Sequence, residues 1–381
     1  MNQGWIRRSL GDCCEMYQPK TISSKPLVED GGYPVYRANG VIGRYDQFNH
    51  EDSQLMITCR GATCGSLNVS EPRSWITGNA MVIRPRGVSI DLKFLEFSLR
   101  GPIDLSRAIT GAAQPQITRT NLAPLEFSYP TCVLEQQRIV AILDEAFEGI
   151  ATAKANAEKN LQNALEILGS YLAPAFTNGG RGWIKKSLED TVDGACSLSY
   201  GIVQPGDEWS DGLPVVRPTD LTTKLIEIEG LKRINPNLAD SYRRTTLRGG
   251  DILLCVRGST GTVSVAFTAL AGANVTRGIV PIFLDQSMVL QDFGYYLMRC
   301  EPVQSQIREK NFGAALMQIN IRDLRLIKLL VPPLREQKEL AAKFNELALE
   351  TQRLESLYQQ KLTALAKLKK SLVHEAFSGR L

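Results

Sequence analysis

The chain has 381 residues, with 44 Lys and Arg against 40 Asp and Glu and 43% hydrophobic residues. That composition belongs to two or three folded domains with a small basic excess, not to a disordered chain. Eight cysteines are too sparse for a disulfide scaffold, and two histidines, His50 and His374, rule out most His-based metal sites and make a Ser-His-Asp triad improbable. No apolar stretch approaches the ~20 residues of a membrane helix. The opening segment has no secretory apolar core, so reduced thiols in a cytoplasm are expected.

In chain order, residues 1–132 read as a first globular part. They are rich in Gly, Pro, Thr and β-branched residues, and short apolar runs such as Leu55 to Thr58 read as strands. Residues 133–180 read as one long helix. Ile139, Leu143, Ala146, Ile150, Ala153, Ala157, Leu161, Ala164, Leu168 and Leu172 recur in steps of three and four. Pro130 precedes the helix, where proline is tolerated, and Asn178-Gly179-Gly180 stops it. Residues 181–331 read as a second globular part, with Asp251 to Leu254 as a strand. Residues 332–381 form a second helix with a stripe of Leu340, Phe344, Leu347, Leu354, Tyr358, Leu362, Leu365, Leu368, Leu372 and Ala376. From Leu134 to Leu172 three basic residues face six acidic ones; from Leu334 to Ala376 eight face six. Helices of opposite net charge attract weakly, which favours an antiparallel coiled coil.

The two halves repeat one another. Gly4-Trp5-Ile6 returns as Gly182-Trp183-Ile184, Arg60-Gly61-Ala62-Thr63 as Arg257-Gly258-Ser259-Thr260, and Gly111-Ala112-Ala113 with Gln116-Ile117 as Gly313-Ala314-Ala315 with Gln318-Ile319. Leu134-Glu135-Gln136-Gln137 returns as Leu334-Arg335-Glu336-Gln337, which aligns Gln137 with Gln337. The fold class is therefore α+β. Two tandem mixed α/β domains are separated by two long pairing helices, with pseudo-two-fold symmetry.

Catalytic signatures are missing. Gly258 to Thr262 lacks the lysine of a phosphate loop, Cys59 and Cys64 have no second pair, and Asn235-Pro236-Asn237-Leu238 reads as a surface turn. His50 and His374 read as solvated residues. A duplicated, slightly basic protein without catalysis points to two related binding sites, and double-stranded DNA fits them. Arg37, Asn39, Asn79, Gln114 and Gln116 are candidates for base contact in the first copy. Arg217, Thr219, Asp220, Arg277, Gln318 and Asn320 are their counterparts in the second. Features common to both copies cannot tell two half-sites apart, so Arg60, Thr63, Arg257, Ser259 and Thr260 are assigned to phosphates. Trp5 and Trp183 read as core anchors.

The stretch Val331-Pro332-Pro333-Leu334-Arg335-Glu336-Gln337 and the C-terminal stretch from Lys369 to Leu381 carry a resemblance. Weaker internal copies run from Pro130 to Gln137 and from Ala175 to Gly179. Together they resemble the specificity subunit of type I restriction-modification systems. The resemblance implies two target recognition domains, each reading half of a bipartite site, and helices that set the spacer. It implies docking of two modification subunits, which carry S-adenosylmethionine and methylate adenine. It further implies restriction subunits that use ATP and Mg to translocate DNA. This subunit itself would hold no cofactor or metal and catalyse nothing. Three rivals are an autonomous methyltransferase or nuclease, a purely structural coiled-coil adaptor, and the recognition subunit of a system whose nuclease and methylase are fused.

Overall fold

The computed structural model describes residues 4–22, 27–37, 39–87, 89–111, 113–177, 179–313 and 316–381. Ala38, Ala112, Asn178, Ala314 and Ala315, which the sequence motifs include, lie outside the described residues. Two compact units share the chain. One comprises Met1–Glu158 with Gln360–Leu381, the other Lys159–Gln359. Each unit therefore takes one globular part and a portion of both long helices, Val133–Thr177 and Leu334–Phe377.

In the first unit a four-stranded antiparallel sheet runs in the order Cys14–Tyr17, Ala80–Pro85, Leu55–Thr58, Leu67–Val69. Beside it lies a three-stranded sheet of Gly40–Tyr45, Tyr33–Arg37 and Trp75–Ile76. Alternation along the central strand explains its unbroken apolar run. Leu55 and Ile57 join a core with Phe94, Leu95, Ile139 and Leu143, while Met56 joins Tyr36, Ile76 and Val82 on the opposite face. A strand covered on both faces shows no polar positions.

The second unit repeats this plan. Its four-stranded sheet has the order Leu225–Ile226, Val263–Ala266, Ile252–Cys255, Ile279–Ile282. Its three-stranded sheet joins Lys232–Ile234, Leu213–Val216 and Asn274–Val275. Ile252 and Leu254 pack with Phe293, Leu168, Leu172 and Phe344, and Leu253 packs with Val216 and Val275. The copies differ at the sheet edges: in the second unit Leu225–Ile226 joins Val263–Ala266 in parallel, and among the described residues the first unit's Cys14–Tyr17 strand is matched by the single bridge Val192↔Leu284. A short sheet closes each copy, Trp5–Ser9 against Glu126–Pro130 and Ile184–Ser187 against Lys328–Val331. Trp5 and Trp183 anchor there, at 6.4 Å from the Phe94 ring and 6.3 Å from the Phe176 ring.

The expected antiparallel pairing of the long helices is present within each unit. In the first, Arg138 Nη2 donates to the Leu381 backbone oxygen at 2.7 Å, and Lys369 Nζ lies 4.6 Å over the Phe147 ring. In the second, the Phe176 and Phe344 rings are 5.9 Å apart. No residue of the first stripe is fully exposed. The second stripe needs one correction: Leu368 is 47% exposed, while Ala341 and Thr351 are buried. Leu362, Leu365 and Leu368 follow in two successive steps of three, each short of the 3.6 residues of a full turn, so Leu368 has rotated off the seam.

The repeat register at the helix starts also needs correcting. Gln136, not Gln137, is the partner of Gln337, and both are fully buried. Gln136 Oε1 accepts from Asp91 N at 2.8 Å, and its Nε2 donates to Ser89 O and Pro130 O at 3.0 and 2.8 Å. Gln337 Oε1 accepts from Leu290 N at 2.8 Å, and its Nε2 donates to Met288 O and Pro332 O at 2.7 and 2.8 Å. Each amide ties the start of a long helix to the loop entering a shorter one, Leu92–Arg100 or Gln291–Arg299.

Candidate nucleic-acid interface

In the first unit the strand Leu55–Thr58 runs out into Cys59 and turns at Arg60-Gly61. Gly61 has φ 92°, which only glycine adopts without strain. The backbone there gathers three other loops. Cys59 N donates to Asn79 O at 3.2 Å, Ile117 N to Cys59 O at 2.9 Å, and Gly61 N to Pro115 O at 3.1 Å. Arg60 pairs antiparallel with Gln116. Thr77 N donates to Tyr36 O at 2.9 Å and Thr58 Oγ1 to Asn39 Oδ1 at 3.3 Å, which adds the hairpin carrying Arg37 and Asn39. Arg37, Asn39, Arg60, Thr63, Asn79, Gln114 and Gln116 are thus brought together on four loops. All are exposed except Asn79, which is half-buried.

The second unit builds the same arrangement. Gly258 has φ 85°. Val256 N donates to Gly278 O at 2.8 Å, Ile319 N to Val256 O at 3.0 Å, and Gly258 N to Met317 O at 2.8 Å. Arg257 pairs with Gln318, and Thr276 N donates to Val216 O at 2.9 Å. Arg217, Thr219, Arg257, Ser259, Thr260, Arg277, Gln318 and Asn320 stand on these loops, with Thr219, Ser259, Arg277 and Asn320 exposed. A recess of about 320 Å³ opens among them, lined by Arg257, Arg277, Pro218 and Leu316.

Some candidates are already engaged. Asp220 accepts from both Nε and Nη2 of Arg217, at 3.1 and 2.8 Å, and from the Arg217 backbone N–H at 2.8 Å. Its side chain is only 13% exposed. Asp220 is therefore held as a clamp on Arg217 in this structure. Sequence reading missed this because both residues look equally available in a loop. Thr260 Oγ1 accepts from Asn311 Nδ2 at 2.7 Å. Sequence reading also passed over the apolar Leu316 and Met317, 45% and 42% exposed on the same face. The available signal is that these positions carry Gln114 and Pro115 in the first copy.

All eight cysteines are free thiols, and the described residues contain no group of three or more His, Cys, Asp or Glu able to hold a metal. His50 corrects the expectation of a solvated side chain. It is 9% exposed, with Nε2 2.8 Å from Tyr17 Oη and Nδ1 2.6 Å from Asn49 Oδ1. Asn49 is fixed by Ile76, whose N–H donates to the same Oδ1, so Nδ1 carries the proton and Nε2 accepts from Tyr17. Asn235 to Leu238 form the expected surface turn, Leu238 N donating to Asn235 O at 3.0 Å, and it opens a 3-10 segment, Pro236–Thr245, that is kinked at Tyr242. No helix among the described residues is long and apolar enough to cross a membrane.

Comparison with known proteins bears directly on this two-copy face. The sequence pattern described as the type I restriction modification DNA specificity domain matches residues 2–163 and 202–364. The specificity subunit of the type I restriction enzyme EcoBI from Escherichia coli is 23% identical over 199 residues, which are 52% of this chain and 42% of that protein. A protein named as the specificity subunit of the type I restriction enzyme MjaX, from Methanocaldococcus jannaschii, is 22% identical over 416 residues, covering this whole chain and 94% of its own. Two solved structures share the fold at 18% identity. One concerns complex assembly and conformational transition of a type I R-M system, with TM-score 0.77 over 99% of this chain and 98% of that one. The other is the HsdS subunit from Thermoanaerobacter tengcongensis, with TM-score 0.63 over 99% and 97%. With most of its length matched in two tandem segments, this chain belongs to the type I restriction-modification DNA specificity family, whose relatives named above are specificity subunits.

Proposed function

We propose that each globular part reads one half of a bipartite double-stranded DNA site, in a complex with two modification subunits and, for cleavage, restriction subunits. The observation that carries this reading is the repeated four-loop face. Both units join an Arg-Gly turn to a Gln-Ile segment by the same backbone pairing, Arg60 with Gln116 and Arg257 with Gln318. Identical frames with different side chains suit a protein that must meet DNA twice and read two sequences. Arg60, Thr63, Arg257, Ser259 and Thr260 lie on the common frame and serve phosphates. Arg37, Asn39, Asn79, Gln114 and Gln116 read the first half-site, and Arg217, Thr219, Arg277, Gln318 and Asn320 read the second. Asp220 acts through Arg217. The paired helices set the spacer and dock the modification subunits.

In this reading S-adenosylmethionine, ATP and Mg belong to the partner subunits, and the complex acts in the cytoplasm. Binding measured on a library of sites at two salt concentrations tests it, using this chain with its modification subunits. Arg277→Ala should relax preference at the second half-site only. Arg60→Ala should weaken all sequences alike and lower the salt slope by about one, the contribution of one phosphate. Arg60→Ala changing base preference at unaltered affinity would overturn the division of roles.

A further inference from the structure

Leu316 and Met317 are the residues on the second unit's face that the common frame does not explain. The loop that carries them is closed by Phe312 and Gln318, each N–H donating to the other's carbonyl at 2.9 Å. In the first unit Thr110 pairs with Gln116 at the same place. The carbonyl that receives the Arg-Gly turn belongs to Pro115 in one copy and Met317 in the other. The backbone is thus equivalent, and the difference lies in the side chains. Where the first copy shows the amide of Gln114, the second shows Leu316, 45% exposed.

Leu316 does not stand alone. With Ile202, Val203 and Pro218 it forms the apolar wall of the 320 Å³ recess, whose remaining lining includes Arg257 and Arg277. Val203 is 48% exposed. Arg257 Nε is buried and has no hydrogen-bond partner among the described residues. An apolar wall rimmed by two guanidinium groups matches one feature of the major groove. Thymine alone among the four bases presents a methyl group there, flanked by acceptor oxygens and phosphates.

We infer that Leu316 is a specificity-determining residue that reads the C5-methyl of a thymine in the second half-site. The methyl enters the recess, and Arg257 and Arg277 hold the adjoining base edge or phosphate. The first unit uses the same loop position for the opposite chemistry, since Gln114 suits the donor-acceptor edge of adenine. This inference rests on the proposed reading of DNA by both units.

The test uses the full chain with its modification subunits and synthetic duplexes of its methylated site, in which thymines are replaced one at a time by uracil. Uracil lacks only the methyl. One position in the second half-site should lose roughly fourfold in affinity, the worth of one buried methyl group. Leu316→Ala should bind the thymine duplex less well and show no further loss on the uracil duplex. Leu316→Gln, which installs the first copy's residue on an exposed site, should do the same if the alanine variant folds poorly. Substitutions in the first half-site should respond alike in wild type and variants. Specific binding that survives every uracil replacement, or a site with no thymine in its second half, overturns the inference and leaves bipartite reading intact. Absence of any specific binding overturns the bipartite reading and this inference with it.

Discussion

Two buried glutamines show how single side chains define this fold. Gln136 and Gln337 each satisfy one backbone N–H and two carbonyls where a long helix begins. Removing such an amide leaves buried backbone groups unpaired, at about 1–3 kcal/mol for each group left so. Gln337→Ala should therefore cost about 3 kcal/mol or more, and Gln137→Ala, exposed one residue beyond its buried neighbour, should stay within ~0.5 kcal/mol. Urea denaturation distinguishes them. The glutamines were legible in the sequence only as a repeated motif. The structural register differs by one residue, because aligning Leu134 with Leu334 hides which amide turns inward. His50 gives a second prediction. Burial, and then the charge of Arg84, hold its pKa below the usual 6.5. Protonation would also displace the Tyr17 hydroxyl proton donated to Nε2. The unfolded chain therefore binds a proton that the folded one refuses, and stability should fall as pH drops below 6.5. His50→Asn should be less stable at pH 7.5 but show a smaller decline between pH 7.5 and pH 5.5.

Among the elements, the long helices were the most legible. Their periodicity covers many turns, and a stripe that must stay buried constrains every third or fourth residue. The sheets were legible as strands but not as pairings, since the parallel pairing of Val35 with Trp75, or Val215 with Asn274, joins residues distant in the chain. The fate of Leu368 marks the limit of periodicity alone. Leu143 is fully buried in the first unit's core. Leu143→Ala should cost about 2–5 kcal/mol, whereas Leu368→Ala should be nearly neutral, and denaturation midpoints separate the two. The four-loop face was legible only in part. Repetition pointed to the Arg-Gly and Gln-Ile segments, but whether a loop residue is free or engaged depends on contacts such as Arg217 with Asp220 that sequence spacing does not reveal.

At the scale of the whole molecule, the proposed function makes the paired helices the ruler that sets the spacer. Four residues inserted in each, near Ala153 and near Thr363, add about 6 Å at 1.5 Å per residue. One base pair advances ~3.4 Å along DNA, so the unread spacer should grow by one or two pairs with both half-sites unchanged. Four residues come close to one helical turn, so the apolar stripes nearly realign. An active variant with an unchanged spacer would show that the helices do not measure the distance.

The central claim is that two related faces read two different half-sites. Sequencing methylated adenines in the genome of a host supplied with this chain and its modification subunits tests it most directly. The account predicts one asymmetric motif of two specific blocks separated by a fixed run of unread base pairs, with Arg277→Ala degrading only one block. A single uninterrupted motif, or loss of both blocks together in that variant, would contradict it.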